Sequence, residues 1–464
     1  MKKRLVFSFA GLLFALYLIL LGLYGFYLLT KIKYFSFSEA LIVSGITPFF
    51  LGIATAIFIL KLRKSFVDEW IIIIISIVCS LWIFEFYLGF LQNETDKTSQ
   101  ILYERTKNPE TYPSMMPVPF LAEYGKLGSS SLLGLDGKEI VPIQDVTSCS
   151  TVFCREAGDY IIYKSDEKGF RNPKGIWSCG LADIVLVGDS YSHGACVCDG
   201  DDFPSLIRDK YPKTFNLAKG GNGPLVSLAT IKEYANVLRP KLVIWQYADN
   251  DIGRDLNTEK SSSVLMGYLS GQTQHLFERV QEIDTLEKDF FNRTLKPKSS
   301  NEKKVEMLTK ITKFFGLRLT RKILVKNEVT FLSSDYEMEN IDWGTYERTL
   351  LEADRTVKSW GGKLVILIAP ITTSIYHFSK DTLRKAQLHD KRLKDTFNKL
   401  DIDYISMDDY FSGVKNLRSY FAWTGTYYGH PNKYGYVLFA KAIFDFIHGR
   451  CVMTDSRDGL AACR

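Results

Sequence analysis

The chain has 464 residues, enough for two or three domains, and 46% of them are hydrophobic, which suffices for a sizeable core. Its formal net charge of +6 is modest for this length, and the sequence contains no long basic stripe. These features argue against nucleic-acid binding.

Three apolar segments open the chain, at residues 5–29, 40–60 and 70–91. Each has about the 20 residues that a helix needs to cross a hydrocarbon core of roughly 30 Å. The first is too long for the apolar part of a secretory signal, and no clear small-residue cleavage site follows it. We therefore predict a membrane domain of three transmembrane helices over residues 1–92.

Basic residues indicate how this membrane domain is oriented. Three of them precede the first apolar segment and three lie between the second and third, whereas the loop between the first and second carries only Lys31 and Lys33. Because lysine and arginine favour the cytoplasmic side, the N-terminus is predicted to be cytoplasmic. Three crossings then place everything after Gln92 outside the cytoplasm.

Seven of the eight cysteines follow the third apolar segment: Cys149, Cys154, Cys179, Cys196, Cys198, Cys451 and Cys463. In an oxidising compartment they are expected to form disulfides. A metal site is the rival interpretation, but Cys196 and Cys198 are too close for the usual zinc half-site and no histidine cluster accompanies them. Plausible pairs are Cys149 with Cys154, Cys451 with Cys463, and Cys179 with either Cys196 or Cys198.

Residues 93–180 are polar and turn-rich and predict a stalk followed by a β-rich arm, whereas residues 181–450 alternate strands with helices. The predicted strands are "DIVLVG", "TFNLA", "KLVIWQYA", "KLVILIAP" and "IDYISM", and the clearest helix is "PNKYGYVLFAKAIFDFI" near the end. Strands separated by helices predict an α/β domain with a doubly wound, parallel, five-stranded sheet. Continuous apolar strands fit burial on both faces of that sheet.

The third and fourth predicted strands are separated by a long, charged segment at about residues 253–359, with helical patterns in it. This segment is far too long for a simple crossover and predicts a helical insertion. Residues 451–464 form a C-terminal tail after the last predicted helix.

Four polar motifs lie where predicted strands end or where the last helix begins. They are "GDSYS" with Ser190, "GGNG" with Gly221, "DND" with Asn250 and "GHPN" with His430. Alone, each has a simpler explanation: a helix cap, a flexible loop, an Asx turn or a surface histidine. Because ligands in open α/β sheets bind beyond the carboxyl ends of the strands, we expect the four motifs to share one rim.

The order of these four motifs resembles that of the SGNH (GDSL-like) hydrolase family, over about residues 183–447 with the helical segment as an insertion. The stretches "GFRNP", "VGDSYSHGACV", "GGNGPL" and "HPNKYGY" resemble the membrane-anchored bacterial members. The resemblance implies a flavodoxin-like fold. It also implies that Ser190 is a nucleophile, that His430 is its general base, and that the Ser190 N–H, the Gly221 N–H and the Asn250 amide form an oxyanion hole.

Two positions depart from the family pattern. Tyr427 stands where the family carries an aspartate, three residues before the histidine, and Ala248 stands where it carries a glycine. The sequence therefore predicts a Ser-His dyad oriented by a backbone carbonyl, with Asp408 or Asp409 as less favoured orienting acids. For His193, a structural or substrate-contacting role is expected.

The resemblance implies a membrane-anchored, extracytoplasmic serine esterase or O-acyl (acetyl) transferase in a bacterial inner membrane. Its expected substrates are acylated cell-envelope carbohydrates or small esters, and no metal or organic cofactor is implied. Three spans exceed what tethering requires and favour an integral-membrane acyltransferase as partner, beside the lipid bilayer itself. The alternatives are a non-catalytic glycan-binding or assembly protein on the same scaffold, and a lipid esterase.

Overall fold

The computed structural model of the protein describes residues 97–117, 132–156, 159–297, 341–370, 380–414, 416–423 and 428–449, with isolated positions elsewhere. Apart from such isolated positions, the predicted membrane spans lie outside these ranges, as do the C-terminal tail and Tyr427. Within the described residues, no helix has the length and apolar character needed to span a bilayer. The chain divides into two compact units, Met1–Asn93 with Lys298–Lys326 and Glu94–Pro297 with Asn327–Arg464.

The described strands are short in the first part of the second unit and longer in the second part. In chain order they are β1 (Thr111–Pro113), β2 (Leu132–Leu133), β3 (Glu139–Ile140), β4 (Ser150–Val152), β5 (Ile162–Lys164), β6 (Ile184–Gly188), β7 (Thr214–Asn216), β8 (Leu242–Tyr247), β9 (Lys363–Ile368), β10 (Asp403–Ser406), β11 (Phe421–Trp423) and β12 (Tyr428–Pro431).

The described helices are α1 (Lys97–Lys107), α2 (Ser190–His193), α3 (Phe203–Lys210), α4 (Pro224–Thr230), α5 (Leu256–Glu259), α6 (Ser263–Gly267), α7 (Val280–Thr294), α8 (Trp343–Ser359), α9 (Lys380–Leu400), α10 (Met407–Phe411) and α11 (Lys433–Gly449). Helix α4 continues through a π-helical turn and one further α turn to Leu238, and a second π-helical turn, Asp251–Asp255, precedes α5.

The predicted five-stranded parallel sheet is confirmed. Its strands lie in the order β7-β6-β8-β9-β10, and every neighbouring pair is parallel. Numbered from β6 as the first strand, this is the order 2-1-3-4-5 of flavodoxin-like folds. The order reverses beside β6, so the carboxyl end of β6 lies at the position where such sheets bind ligands.

Side chains of successive strand residues enter two different hydrophobic cores. All five residues of β6 are buried, and Val185 belongs to one core cluster while Ile184 belongs to the other. Residues of α4 and α8 complete the first cluster, and residues of α3 and α11 complete the second. The sheet is therefore covered by helices on both faces, which explains why its central strands are largely apolar.

The predicted arm packs onto the sheet through a shared core. Strands β1, β4 and β5 form a small three-stranded sheet, and β2 pairs with β3. Tyr112, Ile140 and Ile143 of this region lie in the same core cluster as Val185 of β6. The compact unit that holds the sheet begins at Glu94 and includes the arm.

The connection from β8 to β9 is largely helical where it is described, with irregular stretches such as residues 272–275 between the helices. It contains α5, α6 and α7, and it ends with α8, which packs against β9 and α4. Helix α8 therefore serves as the crossover helix of this βαβ unit, and the inserted material precedes it.

Candidate active site

A sharp turn at the end of β6 presents Ser190 at the start of α2. Gly188 has φ 124°, and a Cβ atom there would overlap the carbonyl oxygen of Gln246 on the neighbouring strand β8. Only glycine fits this position. The Gln246 side-chain oxygen also accepts hydrogen bonds from the N–H groups of Asp189 (3.2 Å) and Ser192 (3.3 Å), which fixes the turn to β8.

His430 lies in β12, and its imidazole contacts both Ser190 and a carboxylate. The His430 Nε2 atom is 2.7 Å from the Ser190 hydroxyl oxygen. On the other side of the ring, Nδ1 is 2.5 Å from Glu156 Oε1, and the His430 backbone N–H donates to Glu156 Oε2 at 2.5 Å. A carboxylate of the arm thus orients the imidazole, rather than a backbone carbonyl, Asp408 or Asp409.

Charge and burial shift the pKa values of His430 and Glu156 in opposite directions. Burial lowers the pKa of His430, but the charge of Glu156, its hydrogen bond and the charge of Asp189 outweigh burial and raise that pKa above its ordinary value. Burial raises the pKa of Glu156, but His430 outweighs it and brings that pKa below its usual range. Glu156 is therefore ionised at neutral pH, where it favours the Nδ1–H tautomer and leaves Nε2 as the base towards Ser190.

Glu156 follows β4 and is linked to the nucleophile segment by a disulfide between Cys154 and Cys196. The predicted pairing of Cys149 with Cys154 is therefore wrong, and Cys149 is a buried free thiol. Cys179 is disulfide-bonded, but Cys196 is already paired and Cys198 is an exposed free thiol, so neither of the predicted partners is correct. Cys451 and Cys463 lie outside the described residues.

The structure brings Gly221 and Asn250 together beside Ser190, where both donate to the carboxylate of Asp189. The Gly221 N–H donates to Oδ1, and the Asn250 amide donates to Oδ2 at 3.0 Å. The second amide hydrogen of Asn250 is directed to Asp255 Oδ2, 2.6 Å from the nitrogen. Asp189 therefore holds both predicted oxyanion donors, and it is a residue of the site for which the sequence predicts no role beyond a helix cap.

The glycine-rich loop after β7 is held at both ends by buried side chains. The Gly220 N–H donates to His193 Nδ1 at 3.0 Å, and the Glu259 carboxylate accepts the N–H groups of Gly223 and Leu225 at 2.8 Å each. Burial lowers the pKa of His193 well below its ordinary value, so the ring stays neutral and Nδ1 can accept. His193 thus fixes the position of the loop that carries Gly221.

Behind this loop lies a fully buried polar cluster that joins the loop to the arm. Lys219 forms an ion pair with Asp145 and donates to the Ser114 hydroxyl at 3.0 Å. Tyr163 donates to Asp145, and its oxygen lies 2.8 Å from His193 Nε2. The arm therefore supports the site twice, through Glu156 directly and through this cluster indirectly.

In the part of the chain that the structure describes, two groups of side chains have the composition of metal ligands. The carboxylates of Asp189, Asp251 and Asp255 lie within 4.8 Å of one another, but Asn250 already bridges Asp189 and Asp255, and the Ala248 N–H donates to Asp251. Burial and the two neighbouring carboxylates raise the pKa of Asp251 well above its usual range, which favours its protonated form. The cluster is thus satisfied by hydrogen bonds.

The second group contains Glu156, His430 and Cys196. Cys196 is bonded to Cys154, so its sulfur is not a thiolate and is a poor ligand in this state. The two remaining side chains bind each other and Ser190. The arrangement is that of a nucleophile, a base and an acid rather than that of a metal centre.

No protein-family model and no curated protein matches the chain. Solved structures that resemble it include a lipase/acylhydrolase from Enterococcus faecalis, with 13% identity, a TM-score of 0.32, and coverage of 58% of this chain and 97% of that one. A catalytic mutant of Axe2, an acetylxylan esterase from Geobacillus stearothermophilus, has 11% identity, a TM-score of 0.32, and coverage of 58% and 94%. The psychrotrophic esterase EstA from Pseudoalteromonas sp. has 12% identity, a TM-score of 0.30, and coverage of 58% and 98%.

Proposed function

We propose that this chain is a serine hydrolase of the SGNH (GDSL-like) type that cleaves acyl esters. One observation carries the proposal: Ser190, His430 and Glu156 form a continuous hydrogen-bonded chain, with 2.7 Å from the serine oxygen to Nε2 and 2.5 Å from Nδ1 to the carboxylate. A serine hydroxyl is a weak nucleophile until a base takes its proton, and a base oriented by a carboxylate is the arrangement that does so.

In the proposed reaction Ser190 attacks the ester carbonyl while His430 Nε2 accepts its proton. We assign the stabilisation of the negative oxygen of the tetrahedral intermediate to the Ser190 N–H, the Gly221 N–H and the Asn250 amide, donors each worth about 3 kcal/mol in comparable sites. In the structure the Gly221 N–H and the Asn250 amide donate to Asp189, and the amide also to Asp255, so both must exchange a bond to these carboxylates for one to the substrate oxygen during the reaction. Collapse of the intermediate transfers the proton from His430 to the departing alcohol and leaves an acyl-Ser190 enzyme. Water then releases a carboxylic acid, whereas a sugar hydroxyl would yield a new ester.

For the substrate we propose short acyl esters, acetyl above all, carried by cell-envelope carbohydrate. Gly220 packs beside the nucleophile without a side chain: a Cβ there would lie 3.7 Å from Ser190 Cβ and 3.2 Å from the Phe153 ring. His430 keeps 25% of its side chain exposed, which suits an ester attached to a large substrate at the surface.

We further propose that the chain is anchored in a bacterial inner membrane with this site on the periplasmic side, beside an integral-membrane acyltransferase. The apolar segments at residues 5–29, 40–60 and 70–91 support the anchor. The disulfide between Cys154 and Cys196 supports an oxidising compartment. Two features of the sequence favour the non-catalytic alternative, the missing aspartate at position 427 and the large helical insertion, and the carboxylate of Glu156 removes the first of these reasons.

A chromogenic acetyl ester tests the activity. The wild-type chain is expected to turn it over, and Ser190→Ala to abolish turnover with an unchanged unfolding temperature. Ser178→Ala, which changes an exposed serine of the arm, serves as the control and should retain full activity. Absence of wild-type turnover, or a Ser190→Ala variant as active as the control, would refute the proposed function. Faster hydrolysis of an octanoyl than of an acetyl ester would favour the lipid esterase instead.

A further inference from the structure

The disulfide between Cys154 and Cys196 joins the two segments that carry the proposed acid and nucleophile. Cys154 precedes Glu156 by two residues, and Cys196 follows Ser190 by six. The Cys196 sulfur, a Glu156 carboxylate oxygen and a His430 ring nitrogen all lie within 4.8 Å of one another. The bridge is therefore in direct proximity to the reacting groups, which sets it apart from a crosslink that only stabilises the fold.

On the nucleophile side, the bridge is attached to a firmly held segment. The Ala195 N–H donates to the Ser190 carbonyl at 3.0 Å, and the Tyr436 hydroxyl of α11 donates to the Ala195 carbonyl at 3.1 Å. Arg171, which is almost fully buried, donates to the Gly194 carbonyl at 2.6 Å. Cys196 thus has a fixed position relative to Ser190.

On the acid side, the backbone bonds of the hairpin between β4 and β5 come within two residues of Glu156: the Phe153 N–H donates to the Ile161 carbonyl and the Ile161 N–H to the Cys154 carbonyl, each at 2.9 Å. The Glu156 carboxylate binds His430, and it lies against Gly429, where an added Cβ would overlap its oxygens. The sulfur bond is therefore the nearest covalent restraint on where this carboxylate lies.

We propose that Cys154 and Cys196 are positioning residues for the proposed reaction, because their disulfide keeps the Glu156 carboxylate against His430. The inference rests on the proposed function and adds to it the device that assembles the acid with the base. Without the bridge, the hairpin tip gains conformational freedom, and the carboxylate spends part of its time in water instead of on Nδ1. A misplacement of about 1 Å in such a site can lower the rate by about a hundredfold.

Steady-state kinetics on the full chain test this, with the double variant Cys154→Ser/Cys196→Ser compared in the wild-type and Glu156→Gln backgrounds. With Glu156 present, we expect loss of the bridge to lower kcat by about ten- to a hundredfold with little change in KM. With glutamine at 156, we expect the same change to cost less than about twofold, because coupled residues are not additive. Equal losses in both backgrounds would overturn the proposal, since the bridge would then act on the fold in general.

Cys198→Ser is the matched control, because it removes an exposed thiol two residues from Cys196 without touching the bridge. It should leave kcat unchanged. A loss as large as that of the double variant would also overturn the proposal, because the effect would then belong to the segment and not to the disulfide.

A measurement independent of turnover separates this inference from the proposed function. The pKa of the His430 ring, followed by NMR, should lie above 6.5 in the wild type and fall in the double serine variant, because the charge of Glu156 holds it up. If the wild type hydrolyses no ester, the function fails but this comparison still stands. A His430 pKa that is identical with and without the bridge would overturn the positioning role.

A second experiment starts from protein that is already folded, in case the double variant Cys154→Ser/Cys196→Ser does not fold. Dithiothreitol supplies two electrons and two protons, converts the bridge to two thiols and leaves as its own cyclic disulfide. Wild type and Glu156→Gln are treated in parallel, so that reduction of the Cys179 bridge affects both equally. We expect activity and the His430 pKa to fall only in the wild type; the same relative loss in both proteins would again overturn the proposal.

Discussion

Glu156 and His430 are 274 residues apart in the chain, yet the Glu156 carboxylate binds both the ring Nδ1 and the backbone N–H of His430 at 2.5 Å. One side chain of the arm thereby sets the tautomer of the ring, its orientation and the position of the backbone that carries it. The two contacts make the arm part of the chemistry and not only of the fold.

Replacing Glu156 by glutamine should lower kcat by roughly a hundred- to ten-thousandfold, with a small effect on KM, because the imidazolium formed in the reaction loses its carboxylate. Steady-state kinetics on an acetyl ester measure this. Glu139→Gln, an exposed glutamate in β3 of the same arm, is the control and should behave as the wild type. Equal activity of the two variants would contradict the role of Glu156.

The pH dependence of kcat/KM should report the interaction between Glu156 and His430. Because Glu156 raises the pKa of His430, the ring keeps its proton to higher pH, and kcat/KM should rise with a midpoint above 6.5. In Glu156→Gln the larger of the two charges that raise the His430 pKa is gone, Asp189 remains and burial still lowers that pKa, so the midpoint should move to lower pH. A midpoint that stays in place or moves upwards would show that another group titrates.

Replacing Asn250 by alanine should lower kcat by about a hundred- to a thousandfold through loss of an oxyanion donor. The same amide bridges Asp189 and Asp255, so chemical denaturation should also show lower stability. Asn257→Ala provides the comparison: Asn257 lies in the following helix, where its side chain donates to the Gly253 carbonyl. If both variants lose the same activity, Asn250 has no specific role in the reaction.

Gly188 should tolerate no side chain. An alanine there meets an unfavourable φ of 124°, and its Cβ overlaps the Gln246 carbonyl, so we expect a loss of unfolding free energy on the order of 2–5 kcal/mol. Gly200 also has positive φ, 91°, but open space around it, so Gly200→Ala should lose only about 1–2 kcal/mol. Urea denaturation of both variants isolates the cost of the overlap, and equal losses would rule it out.

The buried ion pair should matter more than an exposed one. Lys219→Met leaves Asp145 charged and uncompensated where neither side chain is more than 1% exposed, and should lower the unfolding free energy by about 3–5 kcal/mol. Lys241→Met removes a lysine that is 64% exposed from its pair with Asp183 and should cost at most about 1 kcal/mol. Similar losses in the two variants would mean that the cluster behind the glycine loop contributes little.

The sheet and the rim were predictable because their signals are local. Five largely apolar runs separated by helical segments predict a parallel sheet, and the carboxyl ends of such strands meet at one edge. Ser190, Gly221 and Asn250 lie two, five and three residues after the ends of β6, β7 and β8, so the topology brings them to the same edge. His430 joins them because β12 leads into α11, which packs beside α3.

Glu156 was not predictable from its own neighbourhood. It follows a three-residue strand in an irregular region, and its contact with His430 is too distant in sequence to leave a periodic pattern. The available signal was the cysteine two residues earlier: a pairing of Cys154 with Cys196 would have placed Glu156 beside the turn of Ser190. Spacing alone favoured the nearer Cys149, which is instead buried as a thiol.

The contribution of the acid by the arm also limits how such chains can be recombined during evolution. Genetic recombination near residue 180 would give the sheet an arm from another protein. It would leave His430 without Glu156 and Cys196 without Cys154. The hybrid could retain every motif of the sheet and still lack both partners. Lineages that exchange modules at this junction should therefore keep the two parts together, or acquire a replacement acid on the sheet side before the arm is free to diverge.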